Sequence, residues 1–124
     1  AAVDDVGNII DENIVDGQTH GGVAQGLGQV LGEVVHYGDD GQLLNASFMD
    51  YAMPRADGMP RIKSLHHSVP CTNNPLGVKG AGESGVAGAL PAGMNAVMDA
   101  LAVRGIRHLD LPASPQRVWK ALQS

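Results

Sequence analysis

The chain has 124 residues, of which 44% are hydrophobic and only 3% aromatic, and its formal net charge is −5. This length fits one domain whose modest core is filled by aliphatic side chains. The acidic balance and the scattered Lys and Arg residues exclude a nucleic acid as partner, because binding phosphates needs a basic surface. No apolar run approaches the roughly 20 residues of a membrane span.

The cysteine content and the first residues indicate where the protein works. The single Cys71 excludes an internal disulfide and is compatible with a reducing compartment, so we expect a cytoplasmic location. The first residues include Asp4 and Asp5 and lack the basic region of a signal peptide. Since the chain begins without Met in what reads as a strand, we expect a piece of something longer.

Glycine accounts for 17 of the 124 residues, about twice the usual level of roughly 7%. No repeat explains this excess. Glycine costs backbone entropy on folding, so the excess predicts close packing of backbone on backbone or on a ligand.

The first third of the chain predicts strand and then helix. Residues 3–14 predict one or two short strands around a turn at Gly7-Asn8. Residues 18–35 predict a helix, because apolar residues recur there at helical spacing. This stripe consists of Val23, Leu27, Val30, Leu31 and Val34.

The opposite face of this helix is polar but uncharged, which is unusual for a solvated face. It carries Gln18, Gln25 and Gln29, with Gly21, Gly22 and Gly32 beside them. One interpretation is contact with a polar ligand that approaches the backbone. The other is helix packing through Gly22-x-x-x-Gly26 and Gly28-x-x-x-Gly32. The pattern alone leaves both open.

The rest of the chain predicts a hairpin, another strand and two helices. Residues 34–47 predict the hairpin around Asp40-Gly41, with 48–53 extending its second strand, and 61–69 predict a further strand. A helix is predicted from Ser84 to about Val103. A short terminal helix follows Ser114-Pro115 and would dock through Val118, Trp119 and Leu122. We therefore predict an α/β (α+β) fold: a small mixed sheet, two main helices and a short C-terminal helix.

Residues 77–85 read Gly-Val-Lys-Gly-Ala-Gly-Glu-Ser-Gly, and Glu83 is the only carboxylate between Asp57 and Asp99. A nucleotide-binding P-loop is excluded, because Glu83 stands where that motif needs lysine. A lone acid in a flexible loop suits proton transfer. The alternative is a helix-start carboxylate that the helix dipole favours. Both remain open at this point.

Other chemistry is poorly supported by the sequence. The five histidines and Cys71 show no zinc spacing, and His66 and His67 would point to opposite faces of a strand, so we predict no metal ligands. Ser84 lacks the glycine two places earlier that a hydrolase nucleophile elbow requires.

Three ordered motifs carry a resemblance that spans nearly the whole chain. They read Gly17-Gln18-x-x-Gly21-Gly22-x-x-Gln25-Gly26-x-Gly28, then Gly77-x-Lys79-Gly80-x-Gly82-Glu83, and finally Leu111-Pro112-x-Ser114-Pro115. The chain closely resembles the carboxy-terminal end of the large, molybdopterin-binding subunit of the xanthine dehydrogenase, aldehyde oxidase and carbon monoxide dehydrogenase family.

This resemblance implies a carbon hydroxylase that uses oxygen from water and a molybdenum–pyranopterin cofactor, expected in its cytosine dinucleotide form. It implies that Glu83 is the general base, that Gln18 hydrogen-bonds the pterin and that the backbone of Lys79, Gly80 and Gly82 lies along the cofactor. No protein side chain would ligate the metal. On the helix face, the resemblance favours ligand contact.

The family subunit is several times longer than this chain. Residues 1–124 would therefore be the C-terminal part of a molybdopterin-binding domain, as a fragment or a small subunit. Its expected partners are the rest of the large subunit, iron–sulfur and flavin (FAD) subunits, and a small-molecule substrate. The isolated chain would be inactive and tend to self-associate. The alternative is a non-catalytic remnant that acts as an assembly or interaction module.

Overall fold

A computed structural model describes residues 1–123 of the chain. Its elements are strand β1 (Ala2–Asp4), helix α1 (Glu12–Leu31), a 3₁₀ turn (Ala56–Gly58), strand β2 (Ser64–His66), helix α2 (Val86–Ala102) and helix α3 (Pro115–Gln123). The chain divides into two compact units. Unit 1 comprises Ala1–Gly26 and Pro60–Ala89, and unit 2 comprises Leu27–Met59 and Leu90–Ser124.

The sheet lies in unit 1 and consists of two parallel strands. Ala2 pairs with Ser64 and Asp4 with His66. Antiparallel pairing occurs among residues 1–123 only as isolated bridges, Gly7 with Val78 and Tyr37 with Leu43. The predicted fold class, a small sheet with two main helices and a short terminal helix, is confirmed.

Helix α1 begins earlier than its apolar stripe suggests. The prediction of strand up to Ile14 was wrong, because Asp11 starts a helix there. Its Oδ1 accepts a hydrogen bond from the Ile14 N–H at 3.1 Å. An aspartate in this position satisfies a backbone donor of the first turn that has no partner inside the helix.

Within unit 1, most of the buried positions of α1 are small residues that do not belong to the predicted valine and leucine stripe. Val15, Thr19, Gly22 and Gly26 are buried, whereas Val23 is only partly so. A Cβ added at Gly22 would overlap the backbone oxygen of Ser84. Gly22 therefore serves backbone packing, which corrects its assignment to the ligand-contact face.

In unit 2 the hairpin forms as a turn with one bridge instead of two strands. The Gly38 N–H donates to the Gln42 carbonyl at 2.8 Å, and Gly41 has a φ of 79°. The predicted strand extension over 48–53 was wrong. The Ser47 hydroxyl donates to Asp50 at 2.6 Å and helps to fold these residues into a turn.

The two later helices match their predictions closely. Helix α2 ends three residues before Gly105, whose φ of 81° suits a helix end. In α3 the Arg117 N–H approaches the Ser114 hydroxyl at 3.4 Å. No residue of α3 is buried within residues 1–123, and Trp119 is 60% exposed, so the docking of α3 stays a prediction.

Candidate functional site

In unit 1, the backbone of residues 5–8 holds the first residues of the glycine loop by hydrogen bonds, and we call this arrangement the clamp. The Asn8 N–H donates to the Gly77 carbonyl and the Lys79 N–H to the Val6 carbonyl, both at 2.9 Å. Gly7 has a φ of 66°, and a Cβ there would overlap the Gly77 oxygen. The two segments can lie this close only because residue 7 has no side chain.

Side chains strengthen the same clamp. Lys79 Nζ donates to Asp5 Oδ2 at 2.5 Å, and Asp5 Oδ1 accepts from the N–H groups of Gly7 and Val69, each at 3.0 Å. The Lys79 ammonium, with these two N–H groups, holds the pKa of Asp5 well below its ordinary value. The side chain of Lys79 therefore anchors the loop. Only the backbone of Lys79 is proposed to contact a cofactor.

The far end of the loop is fixed on helix α1. Gly85 has a φ of 81°, and a Cβ there would lie 2.8 Å from the Thr19 carbonyl oxygen and 2.9 Å from Val23. Together with the contact between Gly22 and Ser84, this packs the start of α2 directly on α1. Loop residues 80–83 thus connect two anchored points.

Between these anchors the loop is open. Gly80 and Gly82 are exposed, neither has a positive φ, and a Cβ on either would meet no atom within 4 Å. Among residues 1–123, the N–H groups of Gly80, Ala81, Gly82 and Glu83 find no hydrogen-bond acceptor. The internal packing of the chain therefore gives no reason for glycine at positions 80 and 82.

Glu83 is exposed, and its carboxylate makes no hydrogen bond or ion pair with any residue of the described range 1–123. It stands in a turn three residues before α2, whose first turn contains no acidic residue. It therefore does not cap that helix through a side-chain hydrogen bond. The carboxylate is free to meet a molecule that enters from outside.

Gln18 lies on an exposed side of α1, next to the buried face. At about 100° per residue, Gly17, Gln18, Gly21 and Gln25 fall within an arc of about 100°, and all four are exposed. A Cβ at Gly17 or Gly21 would meet nothing within 4 Å. We call these four residues the open face of α1.

The open face and the loop belong to the same unit. Gly22 packs on Ser84, so the residue after Gly21 touches the residue after Glu83. The structure thus brings the Gln18 region of α1 and the end of the loop together. Unit 1 contains all of the predicted site residues: Gln18, Lys79, Gly80, Gly82 and Glu83.

The sequence interpretation missed the residues that hold the loop. Asp5 and Asn74 do so, the latter by bonding both the N–H and the carbonyl of Val78. The signal for Asp5 was present, since an aspartate two residues before glycine commonly accepts a hydrogen bond from that glycine's N–H. Its pairing with Lys79, 74 positions later, left no local trace in the sequence.

Residues 1–123 show neither a metal-binding cluster nor a membrane-spanning helix. No group of three or more His, Cys, Asp or Glu side chains could hold a metal ion. No helix in that range is long and apolar enough to cross a membrane.

Residues 1–60 match the molybdopterin cofactor-binding domain. The chain is 38% identical over 122 residues to the carbon monoxide dehydrogenase large chain of Hydrogenophaga pseudoflava, covering 98% of this chain and 15% of that one. It is 43% identical over 120 residues to the nicotine 6-hydroxylase large subunit of Paenarthrobacter nicotinovorans, covering 97% and 15%.

A solved structure of a Cu,Mo-CO dehydrogenase in its carbon monoxide reduced state superimposes with a TM-score of 0.88 and 36% identity, over 98% of this chain and 15% of that chain. The chain belongs to the xanthine dehydrogenase, aldehyde oxidase and carbon monoxide dehydrogenase family, as a segment of its molybdenum-binding large subunit. It spans about 15% of the length of the curated relatives it matches.

Proposed function

We propose that the chain is the C-terminal part of the large subunit of a molybdenum hydroxylase, in which Glu83 is the general base. The observation that carries the proposal is the loop of residues 80–83. It is anchored at both ends, open along its backbone, and ends in a carboxylate without a partner in the described chain. A proton acceptor needs this freedom, because a carboxylate committed to an ion pair is a weaker base.

The residues present fit a pyranopterin. Its fused rings carry many hydrogen-bond donors and acceptors, and the chain offers an uncharged amide at Gln18 and the unpaired N–H groups of residues 80–83. Glycine at positions 17, 21, 80 and 82 leaves open space beside the backbone. Since a mid-helix glycine weakens a helix relative to alanine, the two in α1 are best explained by a ligand that needs this space.

When bound, the molybdenum–pyranopterin would accept two electrons from the substrate, while water supplies the oxygen. The role of this chain is to hold a proton acceptor and one edge of the cofactor. The Glu83 carboxylate would accept a proton during this reaction, and the clamp at Asp5 and Lys79 fixes the loop that carries Glu83. Gln18 and the backbone from Lys79 to Gly82 border the pterin.

Several features of the complete enzyme follow from the family and belong to this proposal. They are the cytosine dinucleotide form of the pterin, iron–sulfur clusters and FAD on other segments or subunits, and a cytoplasmic location. The partners are the remainder of the large subunit, the iron–sulfur and flavin subunits, and a small-molecule substrate. The names of the relatives, which include large chains and large subunits, support such an assembly.

The test uses Glu83→Gln in the assembly that contains this sequence, with Glu12→Gln as matched control. Both glutamates are exposed, and Glu12 lies in the first turn of α1. Removing a general base lowers the rate by about 10²–10⁴. We therefore expect a loss of this size in single-turnover reduction for Glu83→Gln only, with molybdenum and pterin content near wild type in both variants.

Near-normal turnover of Glu83→Gln in an assembly with full molybdenum content would remove Glu83 from the catalytic role. The rival function, a non-catalytic assembly module, predicts a different result. In that case, the purified assembly would carry neither molybdenum nor hydroxylase activity even with the wild-type chain.

A further inference from the structure

The turn that follows the hairpin of unit 2 presents two large apolar side chains at its surface. Phe48 is 86% exposed and Met49 is 94% exposed, and these two are the most exposed large hydrophobic side chains of residues 1–123. Apolar residues that are exposed singly are common on protein surfaces and need no explanation. Two adjacent ones, so fully exposed, do need one.

Hydrogen bonds to Ser47 give this turn a defined shape. The Ser47 carbonyl accepts from the N–H groups of Asp50 and Tyr51, at 3.1 and 3.0 Å. The Ser47 hydroxyl donates to Asp50 Oδ2 at 2.6 Å and accepts from the Met49 N–H at 3.2 Å. The exposure of Phe48 and Met49 is therefore a property of an ordered turn.

A pocket of about 470 Å³ lies beside the turn and also belongs to unit 2. Its lining is mainly apolar and contains no charged residue. The apolar and aromatic lining residues are Val35, Leu43, Ala46, Phe48 and Tyr51. We call this pocket, together with Phe48 and Met49, the apolar patch of unit 2.

The other two lining residues, Asn45 and Ser47, use their side chains within the chain. Asn45 Nδ2 donates to the Val34 carbonyl at 2.6 Å, and Asn45 Oδ1 accepts from the His36 N–H at 2.9 Å. The Ser47 hydroxyl is bonded to Asp50, as described above. The lining therefore has little left with which to bind a polar ligand, and the pocket suits an apolar side chain.

We propose that the apolar patch is a surface on which the remainder of the large subunit packs, with Phe48 and Met49 as its anchor residues. The inference rests on the proposed function, in which that remainder is a partner of this chain. Because the chain spans about 15% of the length of the curated relatives that it matches, such a subunit holds ample further chain to cover the patch.

The chemistry of the patch favours a permanent contact over an encounter with a separate protein. Permanent interfaces resemble the core of a domain and are more apolar than interfaces that form and dissociate. Aromatic residues and Met are enriched in interfaces, whereas charged residues are depleted from their centres. The lining of the patch has no charge that could steer a diffusing partner into place.

Two experiments test the proposal without measuring turnover. An assembly that lacks molybdenum or activity would refute the proposed function and still report whether the patch is covered. The first experiment uses the wild-type assembly and measures peroxide oxidation of Met49 by peptide mass spectrometry. If the patch is covered, Met49 should be oxidised at least about tenfold more slowly in the assembly than after unfolding in urea, because oxidation follows exposure. Equal rates in the two states would overturn the proposal.

The second experiment identifies what covers the patch. The photoreactive analogue p-benzoylphenylalanine replaces Phe48 in one preparation of the assembly and Val103 in a matched control. Val103 is 83% exposed, belongs to unit 2 and stands beside the exposed Arg104. We expect the probe at position 48 to crosslink to peptides of the large subunit outside residues 1–124, and the probe at position 103 to give much less product.

Three results of the crosslinking would overturn the proposal. The first is a crosslink from position 48 to an iron–sulfur or flavin subunit instead of the large subunit. The second is a crosslink to residues 1–124 of a second copy, which would make the patch an interface between copies. The third is no crosslink at position 48, or no more than at position 103.

Discussion

Gly21 and Gly22 are neighbours in helix α1, yet only one of them is required by the packing of the chain. A Cβ at Gly22 would overlap the backbone oxygen of Ser84, whereas a Cβ at Gly21 would meet no atom within 4 Å. The two glycines therefore have different reasons to be there. Gly22 allows close approach of two backbones, and Gly21 leaves an open surface.

This difference predicts opposite effects on stability. Gly21→Ala should raise the free energy of unfolding by about 0.5–1 kcal/mol, because alanine is the better helix former and the site has room. Gly22→Ala should lower it by about 1–3 kcal/mol, because the methyl group must displace backbone. Urea unfolding of the two variants measures both. If the two variants shifted stability in the same direction, the packing described for Gly22 would be wrong.

Thr19 offers a second test of the contact between α1 and the loop. It is fully buried, and its hydroxyl has no hydrogen-bond partner in residues 1–123. A hydroxyl without a partner costs about 1–3 kcal/mol. Thr19→Val keeps the shape and should stabilise the chain by about 1 kcal/mol, whereas Thr72→Val at an exposed position should do little. Marked destabilisation by Thr19→Val would show that the Thr19 hydroxyl does make a hydrogen bond in the folded chain.

Asp5 gives the clamp a defined pH dependence. Its pKa is lowered in the folded chain, chiefly by the Lys79 ammonium, so its contribution is fully present above the unfolded carboxyl pKa of about 3.9. That contribution is lost as the pH falls through the lower folded value. We expect Asp5→Asn to destabilise the chain at pH 7 and the difference from wild type to shrink below about pH 4.

The control for this pH prediction is Asp39→Asn. Asp39 is exposed in the turn of unit 2 and makes no ion pair in the described chain. Its removal should leave stability unchanged throughout the pH range. A stability difference for Asp5→Asn that stayed constant from pH 7 to pH 3 would argue against the ionised pair with Lys79.

The sequence predicted those elements whose signals are local. Ser114-Pro115 predicted the start of α3, and Gly105 predicted the end of α2. The buried face of α1 was predicted only in part: Val30 of the predicted stripe is fully buried, whereas Val23 is only partly buried. The closest contact of α1 in unit 1 is made by Gly22. A hydrophobic pattern cannot predict this contact, because glycine has no side chain.

The candidate site also has one part that the sequence predicted and one part that it did not. The glycine loop and Glu83 stood out because of their composition, and their assignment came from the resemblance of ordered motifs. The pairing of Asp5 with Lys79 and of Asp16 with His66 joins residues 74 and 50 positions apart. Such pairs depend on tertiary packing, and no local sequence pattern predicts them.

The loop backbone provides the last prediction. Gly80→Ala adds one methyl group that meets no atom of the chain within 4 Å, and the residue has no positive φ that alanine would resist. The isolated chain should therefore fold with nearly unchanged stability. If the loop backbone lies along the pterin, the same methyl group enters the space that the cofactor occupies. The assembled enzyme should then contain less molybdenum and pterin.

Gly58→Ala is the matched control, since Gly58 is also exposed with no atom within 4 Å of an added Cβ, but lies in unit 2. Elemental analysis and pterin fluorescence on both assembled variants, with urea unfolding of the isolated chains, separate the two effects. We expect cofactor loss for Gly80→Ala alone, because only that methyl group would compete with a ligand. Full cofactor content in Gly80→Ala would mean that the loop backbone does not border the cofactor, even if Glu83 still acts as the base.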